Sequence, residues 1–330
     1  MMMKARNSKI EFLRIAAMLL IVILHLIQND DRFQYVLTEH SFNNTCVVGL
    51  KLFANIGVSI FALITGYFGM KFSSRKLFAL MFKTWFYSLC ITSAFFFCGM
   101  SSLKEVVQVL IPLNSGHWYI NAYIILMMIC MFAGDKINSI SKERFKVWLL
   151  VGFLLLYVFF WLSFDIGTNV ILVLYLYCLA RYIARFQPVK MGGVKLLSCI
   201  SAIVFILVFG VLMLTRSQVI MKLLGSNYSP IVLLLSATLF LFVVLQKSVG
   251  IPLVNALAHR SLAVYLITEV HPVREALLAF QHTFDFNAIY IVCFAIVVYL
   301  SCSFIDWMLS PIEMLFAIKT FHVLSILRKK

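Results

Sequence analysis

Charged residues are scarce in this chain of 330 residues, and long polar stretches are absent. Only 12% of the residues are charged, 63% are hydrophobic, and the mean hydropathy is +0.99. A soluble domain is usually about half apolar and about a quarter charged, so this composition predicts a polytopic membrane protein. Because no polar linker, low-complexity segment or internal repeat divides the sequence, we expect residues 1–330 to form a single membrane domain.

The eight cysteines lack the spacing of a metal site. Seven fall in or at the ends of apolar runs, where free cysteines behave as small hydrophobes, and the eighth, Cys46, lies in a predicted outer loop. The sequence therefore predicts neither a disulfide framework nor a bound metal.

Apolar runs of about 17–25 residues, long enough to cross a bilayer, occur along the whole chain. We place ten of them near residues 10–28, 47–69, 78–99, 117–134, 146–163, 167–184, 194–214, 229–246, 251–270 and 287–309. The alternating pattern of a barrel is missing, so the predicted fold is an all-α transmembrane helical bundle. The first run follows basic residues as in a signal peptide, but no convincing cleavage site follows it, and we expect it to be retained.

The distribution of lysine and arginine indicates an orientation for these spans. With the N-terminus inside, the basic residues gather in the cytoplasmic segments, while the outer side holds few: Arg32, Lys104, Arg216, Lys222, Arg274 and, at a helix start, Lys51. The positive-inside rule then places both termini in the cytoplasm and accounts for most of the net charge of +15. Because the basic residues are divided among loops, we expect membrane lipids as partners and no nucleic acid.

Two ionisable residues share one face of the first span. Arg14 and His25 are eleven residues apart, about three helical turns, which separates them by roughly 16 Å along the axis. Such residues are costly in a membrane and indicate function by default, and imidazole suits general-base catalysis near neutral pH. Two structural alternatives stay open, in which Arg14 only pairs with Glu11 and His25 is an ordinary interfacial residue.

Further polar residues lie near the predicted cytoplasmic ends of the spans. They are Arg75, Lys76 and Lys83. Ordinary snorkelling of the side chains toward water explains Lys76 and Lys83 well. In the second span, the small residues around Gly57 and Gly66 favour close helix packing as their explanation.

The predicted outer ends carry a second polar layer, formed by His25, His117, Glu269 and His271. His117 begins a His-Trp-Tyr segment whose two aromatic residues are also typical of an interfacial belt. Glu269 could orient a histidine, hold an acceptor hydroxyl, or begin a solvated outer loop. We therefore treat His117 and Glu269 as candidate catalytic residues, with these alternatives open.

In this order along the chain, these segments resemble the acyltransferase-three family of bacterial integral-membrane O-acyltransferases, which modify surface polysaccharides and other acceptors. The matching segments are Glu11–Arg14 with His25, Gly57–Phe61, Thr65–Phe68, Arg75-Lys76, His117–Ile120 and Ser261–Ile267. The chain departs from the family at Phe78, where a second arginine is common, and at Thr268, where a histidine is common.

The resemblance implies an O-acyltransferase in a bacterial cytoplasmic (inner) membrane. It implies that His25 acts as the base and that Arg14, Arg75 and Lys76 bind the donor, acetyl-CoA or another acyl-CoA. The implied acceptor is a hydroxyl of a surface glycan or of its lipid-linked saccharide precursor.

A transporter or flippase for a solute or a lipid-linked sugar is the alternative from another functional class, because it too places His, Glu and Arg within the membrane. Such a protein usually has internal repeats and Gly/Pro-broken spans in matching halves, and this sequence has neither. A scaffold or sensor would leave the shared face of Arg14 and His25 unexplained.

Overall fold

The computed structural model describes residues 7–39, 41–110, 116–162, 168–187, 189–215 and 217–327. Within these ranges the regular elements are helices, which confirms the predicted all-α fold. The first eight are α1 (Ser8–Gln28), α2 (Arg32–Thr38), α3 (Phe42–Ala54), α4 (Ile56–Phe68), α5 (Ser74–Phe97), α6 (Leu103–Val109), α7 (Trp118–Ser139) and α8 (Lys142–Leu162). The others are α9 (Thr168–Phe186), α10 (Met191–Thr215), α11 (Gln218–Gly225), α12 (Pro230–Val244), α13 (Pro252–His259), α14 (Ser261–Thr268), α15 (His271–Gln281) and α16 (Ala288–Leu327).

Helical stretches in the described residues match most of the predicted spans. Eight are long and apolar enough to cross a membrane: α1, α3–α4, α5, α7, α9, α10, α11–α12 and α16. α8 covers the predicted span 146–163 except for its last residue, which lies outside the described ranges, as do Arg216 and both chain ends. The protein is therefore a polytopic helical membrane protein, while the count of ten spans and the cytoplasmic termini stay predictions.

The predicted span 251–270 is not one continuous helix. α13 and α14 meet at Arg260, Glu269 is the C-cap of α14, and α15 follows with Val270 as its N-cap and Pro272 in its first turn. The structure divides the predicted span between two short helices, and membrane crossing by this segment stays a prediction. Hydropathy does not register such breaks. Their consequence is that Glu269 lies at a helix end.

Helix α1 lies at the centre of the bundle, in contact with α3, α4, α12, α13, α14 and α16. Its approach to α4 depends on Gly57, where an added Cβ would lie 2.7 Å from the Ala17 carbonyl oxygen. On another face of α4, a Cβ at Gly66 would lie 2.7 Å from the Tyr177 carbonyl oxygen of α9. The predicted close packing of this span is confirmed, since small residues let membrane helices approach.

The far end of α1 is fixed by Asp30, whose buried carboxylate accepts hydrogen bonds from Arg32 and Gln281. Burial raises the pKa of Asp30, but these hydrogen bonds outweigh it and hold the pKa below its ordinary value. Asp30, Asp31 and His282 also bring possible metal-ligand atoms within 4.8 Å of one another. Arg32 and Gln281 already pair with the Asp30 carboxylate, which explains this cluster without a metal. The expectation that the protein binds no metal stays a prediction.

A buried carboxylate on α16 holds the junction of α13 and α14. Asp306 Oδ1 lies 3.0 Å from Lys83 Nζ and 2.7 Å from the Tyr87 hydroxyl, and its Oδ2 lies 3.2 Å from Arg260 Nη1. The interpretation of Lys83 as a snorkelling residue was therefore wrong, because an acidic partner 223 residues away is near. This cluster ties α5 and α16 to Arg260, the residue from which α14 begins.

We predict that Gly66→Ala destabilises the protein, because the added methyl group meets backbone and Ala180 rather than a flexible side-chain end. Overpacking of this kind costs about 1–3 kcal/mol. Gly134→Ala on α7 is the matched control, since its Cβ meets only Cys130 at 3.9 Å. Melting temperatures in detergent should fall for Gly66→Ala and hold or rise for Gly134→Ala, and equal values would contradict the close approach of α4 and α9.

We also predict that Asp306→Asn lowers the melting temperature strongly, because it leaves Lys83 and Arg260 without their carboxylate. Removing one partner of a fully buried ion pair costs about 3 kcal/mol or more. We expect a smaller cost here because Lys83 and Arg260 are partly exposed. Glu143→Gln breaks an exposed pair with Lys146 and should change little. If the two substitutions have equal effects, Asp306 does not hold this junction.

Candidate active site at the two ends of helix α1

The side chains of His25 and Glu269 meet near the C-terminal end of α1. His25 Nδ1 lies 2.5 Å from Glu269 Oε1, and the side chains are only 13% and 10% exposed. Neither of these two atoms has another hydrogen-bond partner among the described residues. Of the alternatives left open by the sequence, the structure therefore supports Glu269 as the residue that orients a histidine, and not as part of a solvated loop.

This geometry leaves the second ring nitrogen of His25 for chemistry. When the Nδ1–H group of a neutral imidazole donates a hydrogen bond to a carboxylate, Nε2 carries the lone pair and can accept a proton as a base. The carboxylate also fixes the ring orientation and stabilises the imidazolium that forms after proton uptake. The pair can thus act as a general base.

His117 lies beside this pair but has a different environment. Its side chain is buried, and Nε2 lies 3.0 Å from the Leu266 carbonyl oxygen of α14. Nearby, the Tyr119 backbone N–H donates to the Tyr265 hydroxyl at 3.4 Å. These contacts join the start of α7 to α14, so His117 is placed to hold the helix that carries Glu269, and a direct catalytic role stays a prediction.

At the other end of α1, a cavity of about 390 Å³ opens between α1, α4, α5, α7 and α13. Four basic residues line it: Arg14, Lys71, Lys76 and His259. Apart from Thr65 and Gly69, aromatic and apolar side chains form the rest of the wall. We call it the basic cavity, and its chemistry suits an anionic ligand with an apolar portion.

Arg14 both lines the basic cavity and pairs with Glu11. Its Nη1 lies 2.6 Å from Glu11 Oε2, and the arginine side chain is 24% exposed while the glutamate is 6% exposed. The structural pair that the sequence left open is therefore present. Because a guanidinium has five N–H donors, one bond to Glu11 leaves others for a ligand.

The structure separates two neighbouring residues that the sequence treats alike. Both residues are exposed at the start of α5, but Lys76 lines the basic cavity and Arg75 does not. Successive helical residues point about 100° apart, so only one of them faces the cavity. Donor binding by Arg75 stays a prediction, and Lys71 and His259 are cavity residues that the sequence analysis did not identify as such.

Two small voids adjoin His25. One, which we call the histidine void, measures about 10 Å³ and is lined by Met18, Ile21, His25, Val58, Phe61, Trp118, Tyr119, Leu262 and Tyr265. A second void of about 10 Å³ lies against His25, Thr268 and Arg274. Phe61, Tyr119 and Leu262 also line the basic cavity, so these three side chains stand between that cavity and His25.

The remaining outer-layer histidine is not part of the buried pair. His271 is 59% exposed and lies 3.2 Å from Glu105 and 3.9 Å from Glu275. The sequence analysis did not single out the charge cluster around Asp306. An aspartate within an apolar run was the signal that could have identified it.

Comparison with known proteins identifies the family of this chain. The profile of the acyltransferase-three family, described as an acyltransferase domain, matches residues 7–306. Comparison with curated proteins found no match, and comparison with solved structures found none either. Because the family match covers nearly the whole chain, from before Arg14 to beyond Glu269, the protein belongs to the acyltransferase-three family and is a membrane acyltransferase.

Proposed function

We propose that the protein is an O-acyltransferase of a bacterial cytoplasmic membrane. It transfers an acyl group, acetyl in the simplest case, from cytoplasmic acyl-CoA to a hydroxyl of a cell-surface polysaccharide or its lipid-linked precursor. The observation that carries this proposal is the contact of His25 with Glu269, because His25 lies on the same helix as Arg14, which lines the basic cavity.

The basic cavity takes the donor headgroup in this account. Guanidinium and ammonium groups of Arg14, Lys71 and Lys76 bind phosphate oxygens through charge-assisted hydrogen bonds. The arm of the donor then follows α1, since an extended pantetheine arm can span the roughly 16 Å between Arg14 and His25. Its thioester thereby approaches the histidine void.

The transfer step uses His25 as the base. Nε2 removes the proton from the acceptor hydroxyl, whose oxygen attacks the thioester carbonyl carbon to form the new C–O bond. The C–S bond then breaks, and the proton passes from His25 to the departing CoA thiolate. Glu269 stabilises the imidazolium between these two proton transfers.

We predict that His25→Ala abolishes acyl transfer and that Glu269→Gln lowers kcat by about 100-fold or more, the size of a general-base contribution. His282→Ala is the matched control, because it removes a more exposed histidine outside this pair. The measurement is incorporation of radiolabelled acetyl groups into the glycan fraction of membranes, normalised to inserted protein. Full activity of His25→Ala would refute its role as the base.

For the donor site, we predict that Lys76→Gln raises the KM for acyl-CoA by about tenfold, the loss expected for one charge-assisted hydrogen bond. Arg75→Gln, one residue away, should have a smaller effect because Arg75 does not line the basic cavity. A larger effect at Arg75 would show that the donor binds outside this cavity.

The two roles of Arg14 can be separated with a double substitution. Arg14→Gln alone leaves Glu11 buried without its cation, so it affects both folding and donor binding. Glu11→Gln with Arg14→Gln removes both charges, and we predict recovery of protein abundance with a KM for acyl-CoA still raised about tenfold. A normal KM in the double variant would show that Arg14 serves only Glu11.

A further inference from the structure

We propose that Phe61, Tyr119 and Leu262 form an aperture that selects the length of the transferred acyl chain. This inference rests on the proposed function, in which the donor enters through the basic cavity. These three side chains line both the basic cavity and the histidine void. An acyl group that reaches His25 from the basic cavity therefore passes between them.

The two spaces that meet at the aperture differ greatly in size. The basic cavity measures about 390 Å³ and the histidine void about 10 Å³. A void of this smaller size holds about one water-sized group. The methyl group of an acetyl donor therefore needs the least displacement of the wall, and each added methylene needs more.

The walls of the aperture are held by packing and hydrogen bonds. Phe61 and Tyr119 contact edge to face with ring centroids 5.8 Å apart. Leu262 follows Ser261, whose hydroxyl lies 3.0 Å from the Tyr299 hydroxyl of α16. Because packed interiors yield little, a longer acyl chain does not simply push these side chains aside.

A second observation at the aperture points to a ligand. Tyr119 is 6% exposed, and its hydroxyl forms no hydrogen bond of normal geometry among the described residues. The nearby Thr65 hydroxyl already donates to the Phe61 carbonyl oxygen. The Tyr119 hydroxyl can still donate a hydrogen bond of good geometry, and an amide carbonyl of the donor arm would accept it.

The test compares donors of two chain lengths. Membranes that contain the full-length protein receive radiolabelled acetyl-CoA or hexanoyl-CoA, and the label in the glycan and lipid-linked saccharide fractions is measured against membranes without the protein. The wild type should strongly prefer acetyl. Leu262→Ala and Phe61→Leu should each raise the hexanoyl-to-acetyl rate ratio about tenfold or more, since one methylene in a fitted pocket changes rates by this order.

Leu80→Ala is the matched control, because Leu80 lines the basic cavity but not the histidine void. It should leave the rate ratio unchanged. With propionyl-CoA added as a third donor, Leu262→Phe, which narrows the aperture, should lower the propionyl-to-acetyl rate ratio, and this gives a variant of opposite sign if an enlarged variant fails to fold.

The outcomes separate the two proposals. A wild type that transfers no label beyond the membranes without the protein overturns the proposed function itself. A wild type that transfers acetyl, combined with unchanged ratios in the folded variants at Leu262 and Phe61, overturns the aperture alone. Equal hexanoyl and acetyl rates in the wild type would overturn it as well.

Discussion

The contact between His25 Nδ1 and Glu269 Oε1 joins the central helix of the bundle to a short buried helix far along the chain. Two ionisable side chains are tolerated at such low exposure because each satisfies the other. Since Glu269 ends α14, its position depends on where α14 begins. Asp306 fixes that start through Arg260, and His117 and Tyr119 bind the middle of the same helix. The position of Glu269 beside His25 is therefore set by contacts from α5, α7 and α16.

The same packing fixes the two ionisable residues of α1 that the proposed function assigns to donor and acceptor. α1 is one uninterrupted helix from Ser8 to Gln28, central and closely packed on α4 at Gly57, so Arg14 and His25 keep a fixed separation. Each of these residues has one acidic partner, Glu11 or Glu269, and each also faces an open space. In the proposed function, these acidic partners lower the free-energy cost of placing Arg14 and His25 in the membrane. The remaining N–H donors of Arg14 and the Nε2 atom of His25 stay available for the substrates.

Features that depend on helical periodicity could be predicted from the sequence. The shared face of Arg14 and His25, the packing role of Gly57 and Gly66 and the all-α fold are of this kind. Contacts between distant residues could not be predicted, such as Lys83 with Asp306 or the aperture at Tyr119, because hydropathy and spacing carry no information on which helices meet. The sequence also could not predict which of Arg75 and Lys76 lines the cavity, because successive residues differ by about 100° in direction around the helix.

The central claim is that the donor binds at the Arg14 end of α1 while the acceptor reacts at the His25 end. Sealed membrane vesicles of known orientation test it directly, with impermeant radiolabelled acetyl-CoA added on one side only. Inside-out vesicles, which present the cytoplasmic face to the donor, should acylate glycan enclosed in the lumen, and right-side-out vesicles should not. Acylation that requires donor and acceptor on the same face would contradict the account.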